Sequence, residues 1–145
     1  MILGVGVDIV EIRRIKEAID RNDNFIEKLF DKEEIDYLNR RGMRAEYVAG
    51  RFAAKEAVAK ALGTGFRGFN FKDIVIDRTA LGKPIVVLKG KAKLLAQKNG
   101  DYKIHLSISH GQDSAVAYAV FEKAIDENGG VEHEDSYEQH YEGDR

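Results

Sequence analysis

The sequence predicts an α+β domain in which an antiparallel sheet packs against one long helix. Three observations predict it. An apolar run of period two opens the chain at Ile2 to Val10; a proline-free stretch, Met43 to Leu62, carries small residues at helical spacing; and the second half alternates short β-type runs with glycine turns. Helices in sequence followed by strands partly joined by hairpins are the pattern of α+β folds rather than of parallel βαβ units.

In the first strand Leu3, Val5, Val7 and Ile9 alternate with Gly4, Gly6 and Asp8, so the aspartate shares a face with two glycines. Glycine inside a strand marks close approach of another backbone or of a ligand. Ile12 to Asp20 follows as a short amphipathic helix, with Ile12, Ile15 and Ile19 on one side and Arg13, Arg14, Lys16 and Glu17 elsewhere. Asp31 is placed to cap a second helix, with Glu34 completing a capping box and Gly42 as its stop. The Met43 to Leu62 helix spans about 20 residues, or ~30 Å. Its Gly50, Ala53, Ala54, Ala57 and Ala61 form a stripe against which another backbone can lie close, and Gly63 ends it. Gly63-Thr64-Gly65 is therefore a helix terminator, and a Walker-type phosphate loop is absent. Strands are expected at Asp73 to Asp77, Pro84 to Leu88, Lys103 to His110 and Ala115 to Phe121, with a helix at Lys91 to Lys98. Turns at Leu81-Gly82-Lys83-Pro84 and Gly111 to Asp113 connect the paired strands.

With 145 residues and 43% hydrophobic content the chain can bury one core. It contains no cysteine, which removes disulfides, thiolate metal sites and cysteine nucleophiles together. No run approaches the length of a membrane span, and the basic residues follow the first apolar stretch instead of preceding it, so the expectation is a cytoplasmic protein without membrane association. Residues 1–123 carry 22 Lys and Arg against 17 Asp and Glu, whereas residues 124–145 carry one arginine and eight acids. The expected organisation is thus a folded domain over 1–123 and an acidic, flexible extension over 124–145, too poor in aliphatic residues to offset the entropy of ordering.

The residues that carry chemistry lie in two of these elements. Asp8 sits in an apolar strand, where an unpaired charge needs a cation or strong hydrogen bonds. Glu56 and Lys60 are four apart and project from one helical face. Two carboxylates from distant segments plus a lysine suggest a divalent metal facing a phosphorylated substrate. Each also has an ordinary explanation: Glu56 and Lys60 as a surface pair, Asp8 as the cap of the following helix. In Ile104-His105-Leu106-Ser107-Ile108-Ser109-His110, alternation sets His105, Ser107 and Ser109 on one face and places His110 with the aliphatics. His110 is then either a core-edge imidazole or an acid/base or phosphate-contact group at a strand end.

Four segments, GVGVDIVEIRRI, GRFAAKEAVAKALGTG, LGKP and HLSISH, occur in the order in which they recur in a known family. On them the chain resembles the holo-acyl-carrier-protein synthases, small bacterial phosphopantetheinyl transferases, over roughly residues 1 to 122. The resemblance implies the 4′-phosphopantetheinyl transferase-like fold, a homotrimer with active sites at subunit interfaces, and a place in fatty acid biosynthesis. It implies transfer of 4′-phosphopantetheine from coenzyme A to a serine of apo-acyl carrier protein, releasing adenosine 3′,5′-bisphosphate, with Mg2+ required. It also implies roles: Asp8 and Glu56 as metal ligands, Lys60 on the coenzyme A pyrophosphate, and Arg51, Lys55, Gly82, Lys83, Pro84, Ser109 and His110 lining or adjoining the cofactor cleft. Arg13, Arg14 and Arg21 fall on or near the first-helix positions that dock the acidic carrier. Magnesium suits this set, because it keeps several waters and takes one or two carboxylates plus phosphate oxygens. The base that takes the serine proton is left open among Glu56, His110 and a metal-bound water. The competing reading is a non-catalytic adaptor gripping an acidic protein through its basic first helix, which leaves Asp8, Glu56 and the small-residue stripe unexplained. Nucleic-acid binding fits less well, since the basic residues are not interleaved with stacking aromatics.

Overall fold

The computed structural model describes residues 1–65 and 67–125; the acidic extension lies, from residue 126 on, outside the described residues. In chain order the elements are β1 (Ile2–Glu11), α1 (Ile12–Arg21), α2 (Phe25–Leu29), α3 (Lys32–Arg40), α4 (Ala45–Ala61), a 3-10 turn (Phe71–Asp73), β2 (Ile74–Arg78), β3 (Pro84–Leu88), α5 (Gly90–Ala96) with a further 3-10 turn (Gln97–Asn99), β4 (Tyr102–His110) and β5 (Ser114–Lys123). The strands divide into two antiparallel sheets, β1-β5-β4 and the β2-β3 hairpin. The fold is α+β as expected; the division into two sheets is not visible in the strand pattern alone.

Small residues bring α4 onto the three-stranded sheet. Ala115, Ala117 and Ala119 of β5 are buried, and β1 opposes them with Asp8 across from Ala117 and Gly6 across from Ala119. A Cβ on Gly4 or Gly6 would overlap the main-chain carbonyl oxygen of Ala61 or Ala57 respectively. The two glycines therefore serve approach of another backbone, and the alanine stripe of α4, buried at Ala53, Ala54, Ala57 and Ala61, is the surface they approach. The opposite face of this sheet is apolar and open: Val5, Val7 and Ile9 are each more than half exposed, beside Val116 and Tyr118 of β5.

The helix ends follow local chemistry. Asp31 accepts from the Glu34 backbone N–H at 2.9 Å while the Glu34 carboxylate accepts from the Asp31 N–H at 3.1 Å, a capping box worth about 1 kcal/mol. At the other end of α3, Gly42 N–H donates to Asn39 O and Met43 N–H to Leu38 O, with both residues at positive φ. This Schellman-type closure occupies Met43, so α4 begins two residues later than the pattern suggests. Gly63 closes α4 in the same left-handed conformation, its N–H on Lys60 O at 2.9 Å. The short helix α2 was not expected, because five residues are too few to display a helical period.

Beneath α2 and α3 lies an ion pair. Lys55 Nζ donates to Glu34 Oε1 at 2.8 Å, to Leu29 O at 2.7 Å and to Phe71 O at 3.0 Å, and the lysine has no exposed surface. Glu34 Oε2 accepts from the Ile76 N–H at 3.1 Å. One pair thus joins the end of α2, the start of α3, the 3-10 turn and β2 to α4. Burial presses Glu34 and Lys55 toward their neutral forms, and their mutual attraction opposes it.

Candidate active site

The close contact of β1 with α4 brings Asp8, Glu56 and Lys60 together. Lys60 Nζ donates to Val7 O at 2.9 Å and to Asp8 Oδ1 at 3.3 Å, with half of its side chain still in solvent. Lys60 is therefore anchored to β1, and the surface-pair explanation with Glu56 does not hold. Asp8 does not cap α1 either; the capping position is Glu11, whose side chain makes no cap bond. Burial raises the Glu56 carboxyl above its ordinary pKa, the Asp8 charge raises it further, and Lys60 offsets part of this. Two hard oxygen donors, the Glu56 carboxyl raised in part by the Asp8 charge and Asp8 bonded to Lys60, suit a magnesium ion that keeps most of its waters. Among the described residues no cluster of three or more histidine, aspartate or glutamate side chains offers a fuller cage.

A second group forms where α3, α4 and the ends of β2 and β4 meet. The Arg51 guanidinium lies 3.7 Å from the Tyr37 ring centroid, Arg78 4.7 Å and Arg41 5.5 Å. Arg41 and Arg44 also stand over the Tyr47 ring, at 5.6 and 5.7 Å. His110 meets that ring edge-on with centroids 6.1 Å apart. Burial pushes the Arg51 pKa down, and its Nε is buried without a hydrogen-bond partner among the described residues. A crowd of guanidinium groups around two phenol rings, with one nitrogen left unsatisfied and Arg44 paired to Glu46 at 2.6 Å, has the chemistry that suits an anion. His110 was expected among aliphatics if structural; it is exposed, at the strand end, within this group. Pro84 pairs with Arg78 across the hairpin, which sets the Gly82-Lys83-Pro84 turn beside the same group, and Ser109 is exposed next to His110.

Lys55, expected at the cofactor cleft, is a correction: its ammonium is enclosed and held by three acceptors, so it reaches no ligand. On α1, Arg13, Arg14 and Arg21 are exposed as expected, with Arg13 paired to Glu17 at 3.0 Å and Arg14 to Glu11 at 3.6 Å. The sequence reading missed Tyr37, Arg41, Arg44, Tyr47 and Arg78. The run Arg40-Arg41-Gly42-Met43-Arg44 was the available signal, a basic cluster around a helix stop.

The chain does not bring its two groups together. Arg51 precedes Glu56 by five residues, so they leave α4 about 140° apart.

Paired carboxylates with a lysine, and apart from them a cluster of guanidinium groups, are on this α+β frame the side chains that suit phosphoryl handling. The 4′-phosphopantetheinyl transferase superfamily model matches residues 4–119, and the chain belongs to that superfamily. It is 71% identical over 122 residues to a holo-[acyl-carrier-protein] synthase of Clostridium kluyveri, covering 84% of this chain and 91% of the relative. Among solved structures it is similar to the holo-[acyl-carrier-protein] synthase of Neisseria meningitidis, with TM-score 0.76, 39% identity and coverage of 85% of this chain and 100% of the other. It is also similar to the Bacillus anthracis enzyme in complex with CoA (3′,5′-ADP), with TM-score 0.70, 37% identity and coverage of 86% and 99%.

Proposed function

We propose that this chain transfers 4′-phosphopantetheine from coenzyme A to a serine hydroxyl of an apo-acyl carrier protein, leaving adenosine 3′,5′-bisphosphate. The observation that carries it is the meeting of Asp8, Glu56 and Lys60 across the β1–α4 contact, in a chain of this superfamily. Asp8 and Glu56 are the residues that would hold Mg2+, which when bound supplies positive charge against the pyrophosphate. Lys60, half in solvent, can leave Val7 O for a phosphate oxygen and neutralise charge as it builds there. Glu56 is the side chain standing beside Asp8 and Lys60, and so is placed to take the serine proton; His110 belongs to the arginine group. Arg41, Arg44, Arg51 and Arg78, with His110, Ser109 and the Gly82-Lys83-Pro84 turn, form the anion-binding half that suits the phosphates of a nucleotide-bearing co-substrate. Arg13, Arg14 and Arg21 present α1 to the acidic carrier.

Two half-sites on different sides of α4 call for a second copy of the chain to complete each centre. The apolar outer face of the β1-β5-β4 sheet is the surface such a copy would cover, and the resemblance supports a homotrimer as the proposed assembly. The test is to incubate the protein with coenzyme A, Mg2+ and an apo-carrier, then weigh the carrier. A carrier heavier by one phosphopantetheine supports the reading. An unmodified carrier across a range of divalent ions would overturn it.

A further inference from the structure

An open pocket of about 450 Å³ lies outside both half-sites, between the end of α2 and the 3-10 turn. It is lined by Lys28, Phe69, Asn70, Phe71 and Lys72. Phe69 is buried and Phe71 half-buried, the latter stacked on Phe52 with centroids 5.3 Å apart, which gives the pocket an aromatic floor. Lys28, Asn70 and Lys72 are exposed at its rim, and no carboxylate lines it. The Asp73 carboxylate next to Lys72 is turned onto the Asn70 N–H at 3.0 Å.

Both walls hang from the same buried group. Lys55 Nζ holds Leu29 O, the residue after Lys28, and Phe71 O, a lining residue, while Glu34 fixes the ammonium from below. The spacing of the walls is thus set by a fully enclosed ion pair, and the Lys72 charge is near enough to disfavour that of Lys55.

We propose that this pocket is a second docking point for the acidic carrier, taking an apolar side chain flanked by carboxylates, and that Lys55 and Glu34 are the positioning pair that keeps it open. The inference rests on the function proposed above. An apolar floor with a cationic rim complements an acidic protein surface that carries an apolar residue. The chain passes directly from α1, with its exposed arginines, into α2, so a docked partner can touch both.

The experiment compares the wild-type enzyme with Lys28→Glu/Lys72→Glu, reading transfer rates and calorimetric binding of the apo-carrier and of coenzyme A with Mg2+. The expected result is a carrier KM and Kd raised about tenfold, more at low salt, with the coenzyme A constants within a factor of two. Lys55→Met and the milder Glu34→Gln should weaken the carrier in the same selective way, and Lys55→Met added to the double reversal should cost little more. A mere loss of folded enzyme would lower the active fraction for both substrates alike. Unchanged carrier binding in the double reversal, or a coenzyme A KM that rises in step, would overturn the docking point. Selective carrier loss in the reversal but in neither Lys55→Met nor Glu34→Gln would overturn the positioning role. A wild-type enzyme that modifies no carrier would overturn the function and this inference with it.

Discussion

Glu56 is the residue whose environment says most. Its carboxyl is raised by burial and by Asp8, so in the metal-free protein it should titrate above the ordinary glutamate value of 4.5. Asp8→Asn should bring the midpoint down, measured by carboxyl carbon NMR; an unmoved midpoint would mean the two carboxylates do not face each other. A carboxyl raised on folding keeps its proton where the unfolded chain has lost it, so its stabilising contribution is present below 4.5 and lost as pH rises through the shifted midpoint. Above that pH the ionised pair opposes folding, and Mg2+ should raise the wild-type melting temperature more than that of Asp8→Asn. Asp8→Ala and Glu56→Ala should each lower transfer about a hundredfold or more while the fold persists, as followed by carrier mass and circular dichroism. These residues were legible because a charge in an apolar strand and a carboxylate on an alanine helix are out of place. Lys60 was legible as a cation, but its partner was not, since the i,i+4 rule takes no account of the strand that passes over α4.

At the level of elements, the Lys55–Glu34 pair does what no single helix could, joining five segments at one point. Lys55→Met leaves a buried carboxylate without its cation and should cost about 3 to 5 kcal/mol in urea unfolding. The Lys55→Met/Glu34→Gln double variant should lose less than the sum of the singles, and strict additivity would deny the coupling. Most elements followed from periodicity, caps and turns, because those signals are local: the Asp31-Glu34 box and the Gly42 and Gly63 stops all act within a few residues. What the sequence withheld is what contact between distant segments decides. Lys55 and Glu34 stand 21 residues apart, and Tyr37, Tyr47, Arg51 and Arg78 come from three elements. On α1, by contrast, exposure was readable from the pattern. Arg14→Glu should raise the carrier KM well above any change in that of coenzyme A, with the difference shrinking as salt is added; equal effects on both would place docking elsewhere.

The whole molecule exposes an apolar sheet face that a lone chain would leave in water. Val7 and Tyr118 stand opposite each other there, each about half exposed. If the proposed assembly forms through this face, Val7→Lys with Tyr118→Lys should give monomers in sedimentation equilibrium and abolish transfer, each proposed centre then lacking its second half. A double variant that stays assembled, or monomers that remain fully active, would count against a shared site. Removing residues 124–145 should leave the coenzyme A KM and maximal rate nearly unchanged, with at most a salt-sensitive gain in carrier KM, measured in the same mass assay. Loss of maximal rate on truncation would show that the extension belongs to the working enzyme.

The glycines of β1 have a genetic consequence. A side chain at residue 4 or 6 would collide first with the main-chain oxygen of Ala61 or Ala57, which every amino acid at those positions carries, and at residue 6 also with the Lys60 Cβ at 2.9 Å. Trimming the facing helix cannot relieve it. A selection for suppressors of Gly6→Ala should therefore return reversion at codon 6 and no compensating change at codon 57, whereas alterations at Gly50, whose added carbon would meet only the Ile108 methyl at 3.1 Å, should be rescued by a smaller residue at 108.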